Sequence, residues 1–154
     1  MSSVGKAIQR SLLFSCLIFV TARVEAAESS SQTVQVTIRT ILAGNQSDEF
    51  DSRLNAFQKQ LKVMKYRSYR LLKEENQTVP WQGNATFEIP GSRSLAVSPQ
   101  EFRDKQISLK VRLQEGEKPL VDTTVRLQNK GNFILGGPPH EGGFLILSIS
   151  AATQ

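Results

Sequence analysis

The chain has 154 residues, with 19 lysines and arginines against 14 aspartates and glutamates, a formal net charge of +5, one histidine and one cysteine. That length suits a single domain, and the mild, interspersed positive charge argues against nucleic acid as a partner. One thiol excludes a disulfide framework, so stability has to come from an ordinary packed core.

The first segment carries Lys6 and Arg10, then an apolar run from Leu12 to Val20 that is too short to cross a bilayer, then Val24-Glu25-Ala26. This is the pattern of a secretory signal peptide occupying residues 1–26, cut after Ala26 or, as the weaker alternative, after Ala22. Cleavage after Ala26 removes Cys16 and leaves 128 residues with a net charge of +3. Residues 27–32, small and polar, read as a flexible leader, and residues 33–154 as one β-rich domain. The expected location is the periplasm, the cell envelope or the extracellular space, with no transmembrane helix once the signal is gone.

The domain opens with TVQVTIRTILA, residues 33–43, where Val34, Val36 and Ile38 alternate with polar neighbours, the period of a half-buried strand. It reads as an edge strand open to pairing with another chain. The period then changes. Phe50, Leu54, Phe57, Leu61 and Met64 recur at spacings of three and four, which predicts one amphipathic helix over 50–64, with Asp48 or Asp51 as its N-cap and a sheet as the surface it covers.

KYRSYRLLKEE, residues 65–75, reads as the next strand, and NQTVPWQGN as a turn-rich link carrying Trp81. Two short strands follow, ATFEI (85–89) and RSLAVS (93–98). In QISLKVRLQ (106–114) the alternation is clean, and PLVDTTVRLQ (119–128) repeats it after the turn EGEK, which predicts a hairpin; Arg112 opposite Asp122 is one register it allows, and the sequence alone does not fix the register. Asn129 to Asn132 form another turn. The closing strand FLILSIS (144–150) is apolar at consecutive positions, as expected of a central strand covered on both faces, with the helix over one of them. The sum is a mainly β domain with an α+β margin: an antiparallel, sandwich-like fold of about eight strands with one helix packed on a face.

Candidate sites are few. Gly136, Gly137, Pro138, Pro139, His140, Glu141, Gly142 and Gly143 form a glycine- and proline-rich loop that reads as a contact loop. A lone histidine is not a metal site, because with the cysteine removed its co-ligands would all have to be carboxylates. GxSxG and a Walker lysine are both missing from the sequence, so neither a nucleophile elbow nor a phosphate cradle is expected. Catalytic, cofactor and metal sites are therefore expected to be absent, and the chain is read as no enzyme. Tyr66, Tyr69 and Trp81 form a candidate aromatic face for a protein or a carbohydrate. Asn45, Asn76 and Asn84 each begin an Asn-x-Ser/Thr triplet and are expected in turns, where a glycan would fit if the source attaches one.

DTTVRLQNKGNFILGG, residues 122–137, resembles a stretch near the end of the secretins, the outer-membrane channels of type II secretion and type IV pili, and TVQVTIRTILA is similar to the strand that opens their channel-forming domain. The chain departs from them in Pro138-Pro139-His140 after the paired glycines and in its short length. The resemblance thus implies a small secretin-like β domain rather than a channel. The functional expectation is an exported, non-enzymatic envelope protein acting through protein–protein contact, with an envelope protein or a second copy as partner. A carbohydrate-binding module is the alternative, and an enzyme of unknown type a more distant one.

Overall fold

The structure, a computed structural model, describes residues 33–154; the expected signal peptide and leader lie outside the described residues. Among the described residues eight strands follow one another: β1 (Thr33–Gly44), β2 (Ser68–Pro80), β3 (Ala85–Ile89), β4 (Arg93–Arg103), β5 (Gln106–Glu115), β6 (Lys118–Gln128), β7 (Gly131–His140) and β8 (Gly143–Thr153). They form two four-stranded antiparallel sheets, A in the order β2-β1-β8-β7 and B in the order β3-β4-β5-β6. Every pairing joins chain neighbours except β1 with β8, which unites the two ends of the domain. The fold is thus a flattened up-and-down meander, closed through β1 and β8 and open along two seams, β2/β3 and β6/β7.

Alternation decides which side chains meet between the sheets. Val34, Val36 and Ile38 of β1, Ile107, Leu109, Val111 and Leu113 of β5, and Leu145, Leu147 and Ile149 of β8 all enter the main core, joined by Phe87, Leu95 and Val97. The expected hairpin is present: β5 and β6 pair with Arg112 opposite Asp122, and their charged atoms lie 3.9 Å apart.

The helical stripe lands where its spacing points. Leu54 and Leu61 are fully buried in a second core on the outer face of sheet A with Ile41, Ala43, Tyr69 and Ile146, and Phe50, Phe57 and Met64 flank it. The backbone beneath that stripe differs from the expected single helix. A 3-10 segment, Ser52–Phe57, runs into a short α-helix, α1 (Gln58–Lys62). Asp51 is the cap and fixes the start, its carboxylate accepting from Arg53 N at 3.0 Å and from Leu71 N at 3.0 Å. Tertiary contact with β2, not intrinsic helix propensity, holds so short an element.

Three expectations are corrected by long-range pairing. β1 is a central strand, not an edge, because β8 returns from the far end of the chain to lie beside it. β2 continues through residues 76–80, expected to be link, because β1 offers partners as far as Thr33 opposite Pro80. Asn76 therefore sits in a strand and not in a turn, although Asn84 does lie in the connection that follows. The 136–143 loop is mostly strand, since β7 extends to His140 and leaves only Glu141 and Gly142 to turn the chain.

The β4–β5 turn has a cost written in its backbone. Asp104 and Lys105 both take positive φ, 52° and 63°, with no glycine between Arg103 and its partner Gln106. Such a two-residue hairpin turn favours Asp-Gly, and a side chain in left-handed backbone costs about 1 kcal/mol. Lys105→Gly is expected to raise the unfolding midpoint by about 4 °C; a midpoint that stays or falls on thermal denaturation would show that the turn carries no such strain.

Candidate functional site

Up-and-down alternation gathers four connections at one end of the sandwich: the long β1–β2 segment that contains α1, and the turns β3–β4, β5–β6 and β7–β8. Arg93, at the start of β4, ties three of them together. Its side chain, only 10% exposed, donates to Pro90 O at 3.0 Å and to Pro139 O at 3.2 Å and pairs with Glu115 at 3.3 Å. A guanidinium that serves two hairpins of sheet B and one of sheet A holds the sheets in register at this end.

The β7–β8 hairpin is built by its glycines. Gly142 has φ +76°, as the turn needs, and a Cβ on Gly143 would lie 2.4 Å from Ala43 O, so only glycine permits this approach to β1. The prolines fall where β7 bulges between Gly136 and Pro139 at the edge of sheet A. His140 is largely covered, 15% exposed, with Nε2 3.7 Å from Glu141 Oε1. Among the described residues no cluster of three or more His, Cys, Asp or Glu side chains is placed to hold a metal ion.

Between this hairpin and the β1–β2 segment lies an open cleft of about 570 Å³, lined by Gln46, Glu49, Asp51, Arg70, Glu141 and Gly142 among others. Asp51 is its most constrained group. Arg53 holds it with contacts of 2.6 and 3.0 Å, and that hydrogen bonding keeps its carboxyl well below the usual carboxylate range. A carboxylate spent on an arginine and two backbone N–H groups anchors the helical segment rather than moving protons. Asp48 is lowered in the same way by Arg67, at 2.8 Å, on the exposed rim.

The candidate aromatic face does not assemble. Tyr69 is 3% exposed, donates from its hydroxyl to Leu61 O at 2.6 Å, and has its phenol pushed up by burial. It is a core residue that seals the end of α1. Tyr66 stands beside it, ring centroids 6.2 Å apart. Trp81 follows the far end of β2, ~40 Å away by strand rise, and packs against the main core.

Sequence reasoning passed over two residues at this end. Phe144, the second residue of β8, is 42% exposed, its ring 5.8 Å from that of Tyr66. The period of two in β8 was the available signal, since it sets Phe144 on the outer face with Ile146, one step beyond what α1 covers. Arg93 offered none, because its role depends on hairpins distant in sequence. Comparison of the chain with known protein families, curated proteins and solved structures finds no match.

The Asp51 anchor has a pH signature. Its folded-state carboxyl lies below the unfolded value of about 3.9, so its contribution is complete above about pH 5 and drains away as acid titrates the unfolded chain. Asp51→Asn keeps a capping oxygen but not the charge. Urea midpoints of wild type and variant should therefore differ most near neutrality and converge below about pH 4; a gap constant with pH would remove the charge from the account.

Proposed function

We propose that this chain is an exported, non-enzymatic protein of the periplasm or cell envelope that works through protein–protein contact, as an accessory of an envelope assembly. The observation that carries the reading is Phe144: a large apolar side chain, 42% exposed, beside the turn of a hairpin that Arg93 and the close approach of Gly143 hold in place. An exposed aromatic ring backed by a second ring, beside an open cleft with a mixed-charge rim, is the composition of an interface anchor with a polar surround. The polar groups nearby are engaged in architecture: Asp51 with Arg53, Asp48 with Arg67 and Arg93 with Glu115. That engagement favours binding over catalysis.

Export rests on the signal-peptide pattern of residues 1–26, and the accessory role draws on the resemblance of residues 122–137 to secretins. The carbohydrate-binding alternative has less support, because a stacking platform needs its rings on one face and Trp81 stands at the other end of the domain from Tyr66.

Isolation of the tagged protein from its own cells tests both parts. Wild type should fractionate with the envelope and bring companion envelope proteins with it. Phe144→Ser should lose those companions while unfolding at nearly the wild-type temperature, since the ring is only half covered. A wild-type chain recovered alone, or a variant that keeps every companion, would overturn the proposal.

A further inference from the structure

The four edges of the sandwich are not equally protected. Along the β2/β3 seam, inward side chains of β2 reach the backbone of β3: Gln77 Nε2 donates to Thr86 O at 3.0 Å and Lys73 Nζ to Glu88 O at 3.5 Å. These two edges occupy one another, and inward-facing charge is a recognised guard against strand addition. β7 is guarded by Pro138 and Pro139, which have no N–H to offer, and by its bulge. β6 carries such devices only at its start, where Pro119 sits beside a register shift against β5. From Leu120 to Gln128 it contains no proline, it runs without a bulge from Val121 onwards, and among the described residues β5 is its only partner in sheet B.

The side chains of β6 also complement themselves. If two copies pair antiparallel about a two-fold axis through Thr124, Asp122 meets Arg126 of the other copy, and the same pair recurs on the opposite side of the axis. In the alternating row, Val121 meets Leu127 and Thr123 meets Val125. Asp122, Thr124 and Arg126 are all exposed; in the alternating row Val125 and Leu127 are buried, Val121 half-buried and Thr123 exposed, and the strand's period of two keeps each pair on one face. Slipping one copy by four residues sets Asp122 on Asp122 or Arg126 on Arg126, which penalises those registers. The like-charged Lys118 and Lys130 meet only at the extreme ends, outside the paired stretch.

We propose that β6 is a self-association edge: two copies of this chain join β6 to β6 about Thr124, making one continuous eight-stranded sheet from two B sheets. The pairing uses an edge distinct from the hairpin end and stands independently of the contact assigned there. Confined to one strand, it is smaller than the ~1,200–2,000 Å² of standard stable complexes, so the dimer is weak and forms at about 100 µM chain.

Thr124 supplies a register-specific test. Opposed residues in an antiparallel pair stand about 4.5–5.5 Å apart at Cα, within the reach of a disulfide. In the full chain carrying Cys16→Ser, mild oxidation of Thr124→Cys should yield a covalent dimer on a non-reducing gel. Lys110→Cys, likewise exposed on the neighbouring β5, should remain monomeric. Sedimentation of the untagged chain should show a concentration-dependent dimer. Arg126→Asp should weaken it about tenfold, and Asp122→Arg/Arg126→Asp should restore it. A chain monomeric at every concentration, cross-linking indifferent to position, or a double variant no better than the single would each overturn the proposal.

Discussion

The pairing of β8 with β1 is the contact on which the rest of the domain depends. It runs from Val34 opposite Thr153 to Ala43 opposite Phe144, and it is the one ladder that joins strands distant in sequence. Without it sheet A would be two separate hairpins and the meander would have no closure. β8 repays this position with burial on both faces: Leu145, Leu147 and Ile149 enter the main core, while Ile146 enters the outer one beneath the helical segment. A strand that must satisfy two cores has little freedom of register, since a one-residue slip would exchange the two sets. It also imposes a kinetic constraint, because the strand that closes the sheet is the last in the chain and its loop-closure entropy must be met before the core can form.

Outer coverage of sheet A is divided, and the division explains the polar residues in its middle. The helical segment covers one end, over Ile41, Ala43 and Ile146. Beyond it the sheet turns polar through a connected set: Ser148, fully buried, donates to Asn132 Oδ1 at 2.5 Å, and Asn132 donates onward to Gln60 at 2.8 Å. Arg39 completes the border, 4.8 Å over the Phe57 ring and 2.9 Å from Glu74. The buried Ser148 hydroxyl is tolerated here because it finds a partner on β7, and that partner in turn bonds Gln60 of α1.

What was legible in the sequence was what local period controls. The alternation in 106–114 and 119–128 placed a hairpin correctly but left its register open, and the stripe from Phe50 to Met64 named the residues of the second core before any topology was known. Double burial of the closing strand was legible for the same reason. What was not legible was set by partners far away. The strand at 33–43 looks like an edge when read alone and becomes central only through β8. The link at 76–80 became strand because β1 had unpaired backbone to offer. The glycines and prolines of 136–143 read as a loop because their composition is that of loops, whereas here one glycine serves a close approach, another the turn, and the prolines an edge. Composition reports which backbone angles a segment tolerates, not whether a neighbouring strand will use them.

The same logic separates the domain's edges from its ends. This up-and-down meander places four of its seven connections at one end and three at the other, and the longest of them, between β1 and β2, determines which end acquires a cleft. Loops on a rigid scaffold are free to vary without disturbing the core, which is why an end is suited to recognition. An edge has no such freedom, because its backbone must pair, be blocked or be covered. β2 and β3 cover one another through Gln77 and Lys73, and β7 is blocked by its prolines. β6 is left presenting a regular run of backbone N–H and C=O groups, flanked on its outer face by one acid and one base four residues apart. In a strand, that spacing sets both charges on the same face, equidistant from Thr124, which is the arrangement a two-fold axis requires.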